Sequence, residues 1–389
     1  MESLKIALIY ELGPGDDGSF LGGIESHILG LCRELAPDHE VTMITGMIPG
    51  AKPEVEMGGF TILRSDILGL IGGSWNPTNL TTTRQLFSIP SFFRKGSELD
   101  ADIYHGHIYT SGLVAMELGS GRNSGSVNTI HGSYYDHWDE ITGSRIRAAG
   151  YRAAERLLAT YLARKCDRQI HTATDFAEKV REWGGPEDKI RVILNGVDTD
   201  RFSPSTRNQE REGPTVMTVR RLVPKNGVKY FVEACALVES KARFVIVGDG
   251  PERSNLEDLS RYLGLGDRLD FMGAVPNDLL PGIMAGADVL VVPSLVEASS
   301  ISLLEAMAMA KSTIVTNIPG IDEVASPDRS IMVPPADPGE LARAIDLLLS
   351  DPGMRRRLGK KGREYVVSQR SHQAMASQTL EVYREALDT

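Results

Sequence analysis

The sequence predicts an α/β protein made of two doubly wound parallel sheets in tandem, and three observations carry that expectation. The chain has 389 residues, more than one hydrophobic core usually serves, which favours two domains of roughly 170 to 200 residues each. Short β-branched runs alternate with longer helical patterns from end to end, the signature of βαβ units. The series then restarts after Ser203–Pro214, a polar segment bracketed by prolines, where domain boundaries tend to fall. The predicted domains are 1–202 and 203–370, with a C-terminal helix at about 371–389 packing back on the first.

In the first half the predicted strands are Lys5–Tyr10, Val41–Thr45, Ile103–His105, Val127–His131, Gln169–Thr172 and Ile190–Ile193. In the second they are Thr215–Val219, Arg243–Val247, Leu269–Phe271, Val289–Val292, Thr313–Thr316 and Ser330–Val333. In such sheets, ligands bind beyond the carboxyl ends of the strands. Both sets of strand ends are expected to face an interdomain cleft.

Composition narrows the function. The chain is 41% hydrophobic and 24% charged, close to a globular average. Forty-two Lys and Arg against 52 acids give a net charge of −10, which repels polyanions and excludes nucleic acid as a general partner. Cys32, Cys166 and Cys235 are odd in number, dispersed and outside any C-x-x-C spacing, so neither a disulfide framework nor a zinc site is predicted. Met1–Tyr10 lacks a basic leader and a small-residue cleavage site. No apolar run approaches the ~20 residues of a spanning helix. A cytoplasmic protein is expected, at most peripheral at the inner membrane face.

Gly13-Pro-Gly15-Asp-Asp-Gly18 formally matches the G-x-G-x-x-G dinucleotide fingerprint, but Asp16 and Asp17 in the turn would repel a pyrophosphate. The better helix start is Gly22-Gly23-Ile24-Glu25, since Ile28, Leu31, Cys32 and Leu35 follow at helical spacing. An anion or sugar-phosphate docking there and a plain strand-to-helix turn stand level on spacing alone. His105-Gly-His107 and His131-Gly-Ser133 sit at strand C-termini. A metal would need a third ligand, and although Asp102, Asp136 and His137 are candidates, their spacing is no recognised metal pattern. Hydrogen bonding to a ligand's hydroxyls or phosphate is the better expectation.

The second half opens with Arg220-Arg221-Leu-Val-Pro-Lys225-Asn226-Gly227, three cations at a strand end in an acidic protein. Such charge suits the diphosphate of a nucleotide. No G-x-x-x-x-G-K-[ST] occurs, which removes the P-loop nucleotidases. Pro293-Ser-Leu-Val-Glu297-Ala-Ser-Ser-Ile-Ser-Leu-Leu-Glu305 runs from a strand through a loop into a helix. Ser302-x-x-Glu305 also reads as a capping box, so structural and ligand roles for Glu305 stand level here.

Taken in order, these segments resemble the retaining GT-B glycosyltransferases of family four over nearly the whole chain. Gly22–His27, Asp102–His107, Thr129–Gly132, Asp188–Phe202, Val247-Gly-Asp249-Gly-Pro-Glu252 and the Glu297/Glu305 pair carry the likeness. The resemblance implies two Rossmann-like domains, a nucleotide-sugar donor, no cofactor and no metal. It implies a hexose-type transfer to a glycan, lipid-linked or small-molecule hydroxyl, with the leaving phosphate serving as base.

Carried over by position, the resemblance assigns catalysis to His131, Arg221, Lys225 and Glu297. Donor binding goes to Gly23, Met272, Val275, Ser299, Ser300, Ile301 and Glu305, with Gly22 and His107 on the acceptor side. Two departures stand out: Ala298-Ser299-Ser300 replaces the usual Gly-Phe-Gly, and Asn226 stands where a lysine is usual, with Lys225 before it. The alternatives are a sugar-nucleotide epimerase of the same fold, a non-catalytic sugar-nucleotide binder and, weakest, an NAD dehydrogenase. Finally, Arg145, Arg147, Arg152, Arg156, Arg164 and Lys165 punctuate a helical stretch in which only Glu155 opposes them, so contact with an anionic membrane or an ordinary solvated face is predicted.

Overall fold

The computed structural model describes residues 3–16, 18, 22–48, 50–65, 82–120, 123–133, 135–205, 213–297 and 299–389. Asp17, Ala298 and most of the proline-bracketed segment, 206–212, lie outside the described residues. The chain forms two compact units, Met1–Leu194 with Met375–Thr389, and Asn195–Ala374. They part after Leu194 rather than after Phe202, because Val197 and Phe202 are already buried in the core of the second unit.

The first unit holds β1 (Lys5–Ile9), α1 (Gly23–Leu35), β2 (Glu40–Gly46), β3 (Glu54–Met57), β4 (Phe60–Ser65), α2 (Thr82–Ser97), β5 (Ile103–His107) and α3 (Ile108–Gly119). It continues with β6 (Gly125–Ile130), α4 (Trp138–Thr142), α5 (Arg145–Lys165), β7 (Arg168–His171), α6 (Thr174–Glu182) and β8 (Ile190–Val192). The sheet order is β3-β4-β2-β1-β5-β6-β7-β8. Every pair is parallel except β3–β4. Strands such as β1 and β6 are buried along almost their whole length, as parallel strands covered on both faces must be.

The hairpin β3–β4 is not among the predicted strands. Its signal was present as the alternation Glu54-Val55-Glu56-Met57, then two glycines, then Phe60-Thr61-Ile62. Gly58 and Gly59 take φ of 59° and 88°, the left-handed values a tight hairpin turn needs.

In the second unit, β9 (Thr215–Val219), α7 (Val228–Leu237), β10 (Arg243–Val247), α8 (Arg253–Tyr262), β11 (Leu269–Gly273), α9 (Leu280–Ala285) and β12 (Val289–Val292) are followed by α10 (Ile301–Ala308), β13 (Ser312–Thr316), β14 (Ile331–Val333), α11 (Pro338–Ser350) and α12 (Pro352–Gln369). The order β11-β10-β9-β12-β13-β14 places the topological switch point between β9 and β12. One apolar cluster, including Phe231, Phe244 and Ile345, covers one face of the sheet. Another, including Met217, Leu303 and Met307, covers the opposite face.

The last helix, α13 (His372–Leu387), carries the chain back. From Met375 on it belongs to the first unit, where Met375, Ala376, Val382, Tyr383 and Ala386 are buried with Ile6, Leu8 and Ile103. Each such side chain contributes roughly 1.5–3 kcal/mol by leaving water, except the two alanines, which contribute less.

Candidate functional site

In the second unit three loops meet at the carboxyl edge of the sheet. The loop after β9 begins Arg220-Arg221, and its course is fixed by backbone bonds from Arg220 N to Val247 O (2.9 Å) and Leu222 N to Asp249 O (2.9 Å). Gly248 has φ +136°, and a Cβ there would stand 2.0 Å from the Arg220 carbonyl oxygen, so only glycine fits the approach. The loop after β12 is tied to the same segment by Leu295 N donating to the Lys225 carbonyl at 2.8 Å.

The guanidinium at the centre of this edge is that of Arg220, not Arg221. Arg220 pairs with Glu297, and its side chain is 8% exposed against 14% for Glu297. It also donates to Ser294 Oγ (2.6 Å), Asn226 Oδ1 (3.0 Å), Ser300 Oγ (3.1 Å) and Ser302 Oγ (3.3 Å). Its Nε is buried without a partner, as is Ser299 Oγ. Arg221 and Lys225 are exposed on the same loop. The strand pleat explains the division: consecutive residues leaving β9 point to opposite sides, which sequence cannot assign without knowing the neighbours.

Glu305 lies in the second turn of α10 and is 6% exposed. Burial pushes its carboxyl up to about 8, opposed by the charge of Arg201. The capping box does not form: the N-cap is Ser300, no side chain caps it, and Ser302 lies inside the helix. Glu305 is therefore a buried carboxyl with no capping duty. Ile301 opens the helix, half-buried. Met272 is 39% exposed at the end of β11, where the pairing with β10 slips by one residue between Ile246 and Val247. Val275 packs, partly buried, on the core beneath.

In the first unit, α1 begins at Gly23 with Gly22 as N-cap, the predicted start. The turn that mimics a dinucleotide fingerprint is committed elsewhere, since buried Arg64 holds Asp16 at 2.7 Å and the Pro14 carbonyl at 2.8 Å. His107 closes β5 and His131 follows β6, with His107 Nδ1 and His131 Nε2 hydrogen-bonded at 2.9 Å. Ile108, which follows directly, is held at φ +67°, a left-handed strain of order 1 kcal/mol for a β-branched residue.

His27 completes the cluster, its ring edge-on to His131 at 4.6 Å between centroids. Sequence assigns it no role, although its place at the start of the second turn of α1 sets it near the strand ends. Burial, reinforced by the neighbouring imidazoles, drives His107 and His131 well below the usual histidine range, and both are neutral at pH 7. His105 is held at about 3 for the same reason and is bonded to Tyr383 and Thr129, each at 2.7 Å. Ring nitrogens of His27, His107 and His131 lie within 4.8 Å of one another, close enough to share a metal ion. Neutral imidazoles also serve as hydrogen-bond partners for hydroxyls.

Helix α5 matches the predicted basic stretch. Its one acid, Glu155, turns inward to accept from Tyr109 (3.0 Å) and Trp138 (2.7 Å), so the outer face carries no carboxylate. Arg152 pairs with Asp139, Arg156 lies over Trp183, and Arg164 donates to the Gly184 carbonyl. Ile146 and Leu157 stand 87% and 69% exposed on the outer face. Among the described residues no helix is long and apolar enough to cross a membrane.

Known proteins share this architecture. Residues 200–365 match the model described as glycosyl transferases group 1, and residues 21–201 the model described as glycosyltransferase family 4. An uncharacterised glycosyltransferase of Methanocaldococcus jannaschii is 28% identical over 99% of both chains. The sucrose-phosphate synthase of Thermosynechococcus elongatus superposes with a TM-score of 0.83 over 98% of both chains at 25% identity. HepE of Anabaena, solved with UDP and glucose, gives 0.74 at 16% identity over 97% of this chain and 98% of its own. With two family models spanning both units and a GT-B sheet topology in each, the chain belongs to the family 4 glycosyltransferases of GT-B fold.

Proposed function

We propose that the chain transfers a hexose-type sugar from a nucleoside diphosphate sugar to a hydroxyl of a glycan, lipid-linked or small-molecule acceptor. The transfer retains the anomeric configuration and needs no metal. One observation carries the reading: the switch point of the second sheet gathers Arg221, Lys225, Glu297, Ser299 and the buried carboxyl of Glu305 on one edge. The UDP and glucose bound by HepE support a nucleotide-sugar donor.

In this reading the second unit holds the donor. Glu305, largely protonated at neutral pH, donates to one ribose hydroxyl and accepts from another. Met272 offers an apolar surface to the base. Glu297 accepts from a sugar hydroxyl, while Arg221, Lys225 and the amides opening α10 offset the charge on the departing diphosphate. The bond from the anomeric carbon to the phosphate oxygen breaks as the acceptor oxygen bonds from the same face. The acceptor proton passes to the departing phosphate oxygen, so no protein nucleophile is needed. In the first unit, neutral His131, steadied by His107, bonds sugar or acceptor hydroxyls beside the α1 start at Gly22 and Gly23.

The test is to incubate the full chain with UDP-, GDP- and ADP-hexoses in the presence of EDTA and to follow sugar release by proton NMR. An α-linked donor should yield nucleoside diphosphate and α-configured sugar first. Loss of activity on chelation would contradict metal independence, a β-product would contradict retention, and release of a dehydrated sugar derivative would favour epimerase chemistry.

A further inference from the structure

Arg220 makes more side-chain contacts than the mechanism above asks of it. A guanidinium presents five N–H donors in a rigid plane. Here Nη1 serves Ser300 and Ser302, while Nη2 serves Asn226, Ser294 and Glu297. One planar group therefore fixes side chains from the loop after β9, the loop after β12 and the start of α10. Asn226 and Ser300, two of its partners, occupy positions where this chain departs from the usual family pattern. Those departures are thus physically linked, because both supply oxygens to the same cation.

The consequence for a ligand lies in what the cluster leaves over. Glu297 gives Oε2 to Arg220, and Oε1 takes part in none of these bonds. Two residues on, Ser299 Oγ is buried without a partner. An oriented carboxylate oxygen and an unsatisfied hydroxyl form a pair suited to reading the positions of hydroxyls on a sugar. A sugar that fails to reach them leaves buried polar groups unpaired, the strongest source of discrimination between similar substrates.

We propose that Arg220 is a positioning residue that sets donor-sugar selectivity, by holding the Glu297 carboxylate and the Ser300–Ser302 helix start as one rigid unit. The proposal rests on the reading that this edge binds the donor. Arg220 itself touches neither the diphosphate nor the base.

The test compares wild type with Arg220→Lys, which keeps the charge but not the fork. Affinities for UDP and GDP are measured by thermal shift. Discrimination is measured as the kcat/KM ratio for hydrolysis of UDP-glucose against UDP-galactose and of GDP-mannose against GDP-glucose. Nucleoside diphosphate affinity should stay within about twofold, while the preferred ratio collapses by about tenfold or more. Wild-type discrimination in Arg220→Lys overturns the proposal. A fall of more than about tenfold in UDP or GDP affinity also overturns it, since Arg220 would then be a phosphate ligand.

Should Arg220→Lys fail to fold, the double variant Ser300→Ala, Ser302→Ala removes two anchors without stranding a charge. It is expected to show the same collapse, and unchanged discrimination there overturns the proposal equally. A wild-type chain that responds to UDP, GDP and ADP alike by no shift at all sinks the donor-site reading itself, an outcome distinct from retained discrimination.

Discussion

At Glu305 a single burial sets a stability profile and bears on the proposed contact with the nucleotide. Its folded carboxyl titrates near 8 against 4.5 in an exposed chain, because desolvation outweighs the pull of Arg201. A raised carboxyl stabilises the fold fully below the unfolded value and loses that contribution as pH rises through the folded one. Stability of the second unit should therefore fall between pH 4.5 and 8, by up to about 1.4 kcal/mol per pH unit from this group. Glu305→Gln mimics the protonated form, so its apo melting temperature at pH 7.5 should equal or exceed wild type with nucleotide affinity retained, whereas Glu305→Leu, which can bond neither ribose hydroxyl, should lower nucleotide affinity by about tenfold or more. Unchanged affinity in Glu305→Leu would leave Glu305 a structural residue.

Arg221→Ala makes the complementary case. The side chain is exposed, so melting should move by no more than about 0.5 kcal/mol equivalent, while donor turnover falls by about 100-fold. Near wild-type turnover would remove Arg221 from the leaving-group site. Sequence places three cations at the end of β9 but does not say which arginine is buried and which exposed. Arg220 is defined by Ser294, Glu297, Ser300 and Ser302, residues remote in sequence that only the β9–β12 switch point brings to it.

Among the elements, the histidine-bearing strand ends and α5 carry the sharpest consequences. His105 and His171 are held at about 3, and His107 and His131 well below 6.5, mainly by burial. A depressed histidine stabilises the fold above its unfolded value of 6.5 and loses that contribution as pH falls. Glu11, raised to about 7 by burial, and Glu25, raised for the same reason, work the other way, two groups against five histidines once His39, also lowered by burial, is included. Hydrogen exchange should thus show the first unit losing protection steeply from pH 6.5 to 5; unchanged protection over that range would contradict the buried, neutral cluster.

Helix α5 leads to a different measurement. An outer face with Ile146, Leu157, Arg145, Arg147 and Lys165 and no carboxylate suits an anionic bilayer surface, at about 1 kcal/mol per cation. Cosedimentation with phosphatidylserine vesicles should be strong at low salt and lost at high salt. No binding at low salt would favour a soluble acceptor. The basic stretch was plain in the sequence, whereas the inward turn of Glu155 toward Tyr109 and Trp138 was not, because helical spacing alone does not say which face is covered. Strand β3 goes unseen for a related reason: a short, half-polar edge strand buries too little to stand out beside the apolar parallel strands.

At the scale of the molecule, a net charge of −10 sits beside a local concentration of cations at the switch point of one sheet and along one helix of the other unit. The acidic bulk discourages polyanions in general, while these local concentrations of positive charge are where the proposed diphosphate and anionic-surface contacts would fall. The division follows the chain: the proposed donor edge on β9, β11, β12 and α10, and a neutral imidazole cluster on α1, β5 and β6. The central claim is that the second unit binds a nucleoside diphosphate sugar.

It is tested most directly by melting the wild-type chain against UDP-, GDP- and ADP-sugars across concentration. One base should stabilise the fold progressively, reaching about 2.7 kcal/mol at a hundredfold excess over its Kd, with the other two far weaker. A folded chain whose melting no nucleotide sugar moves, even at millimolar concentration, would contradict the claim.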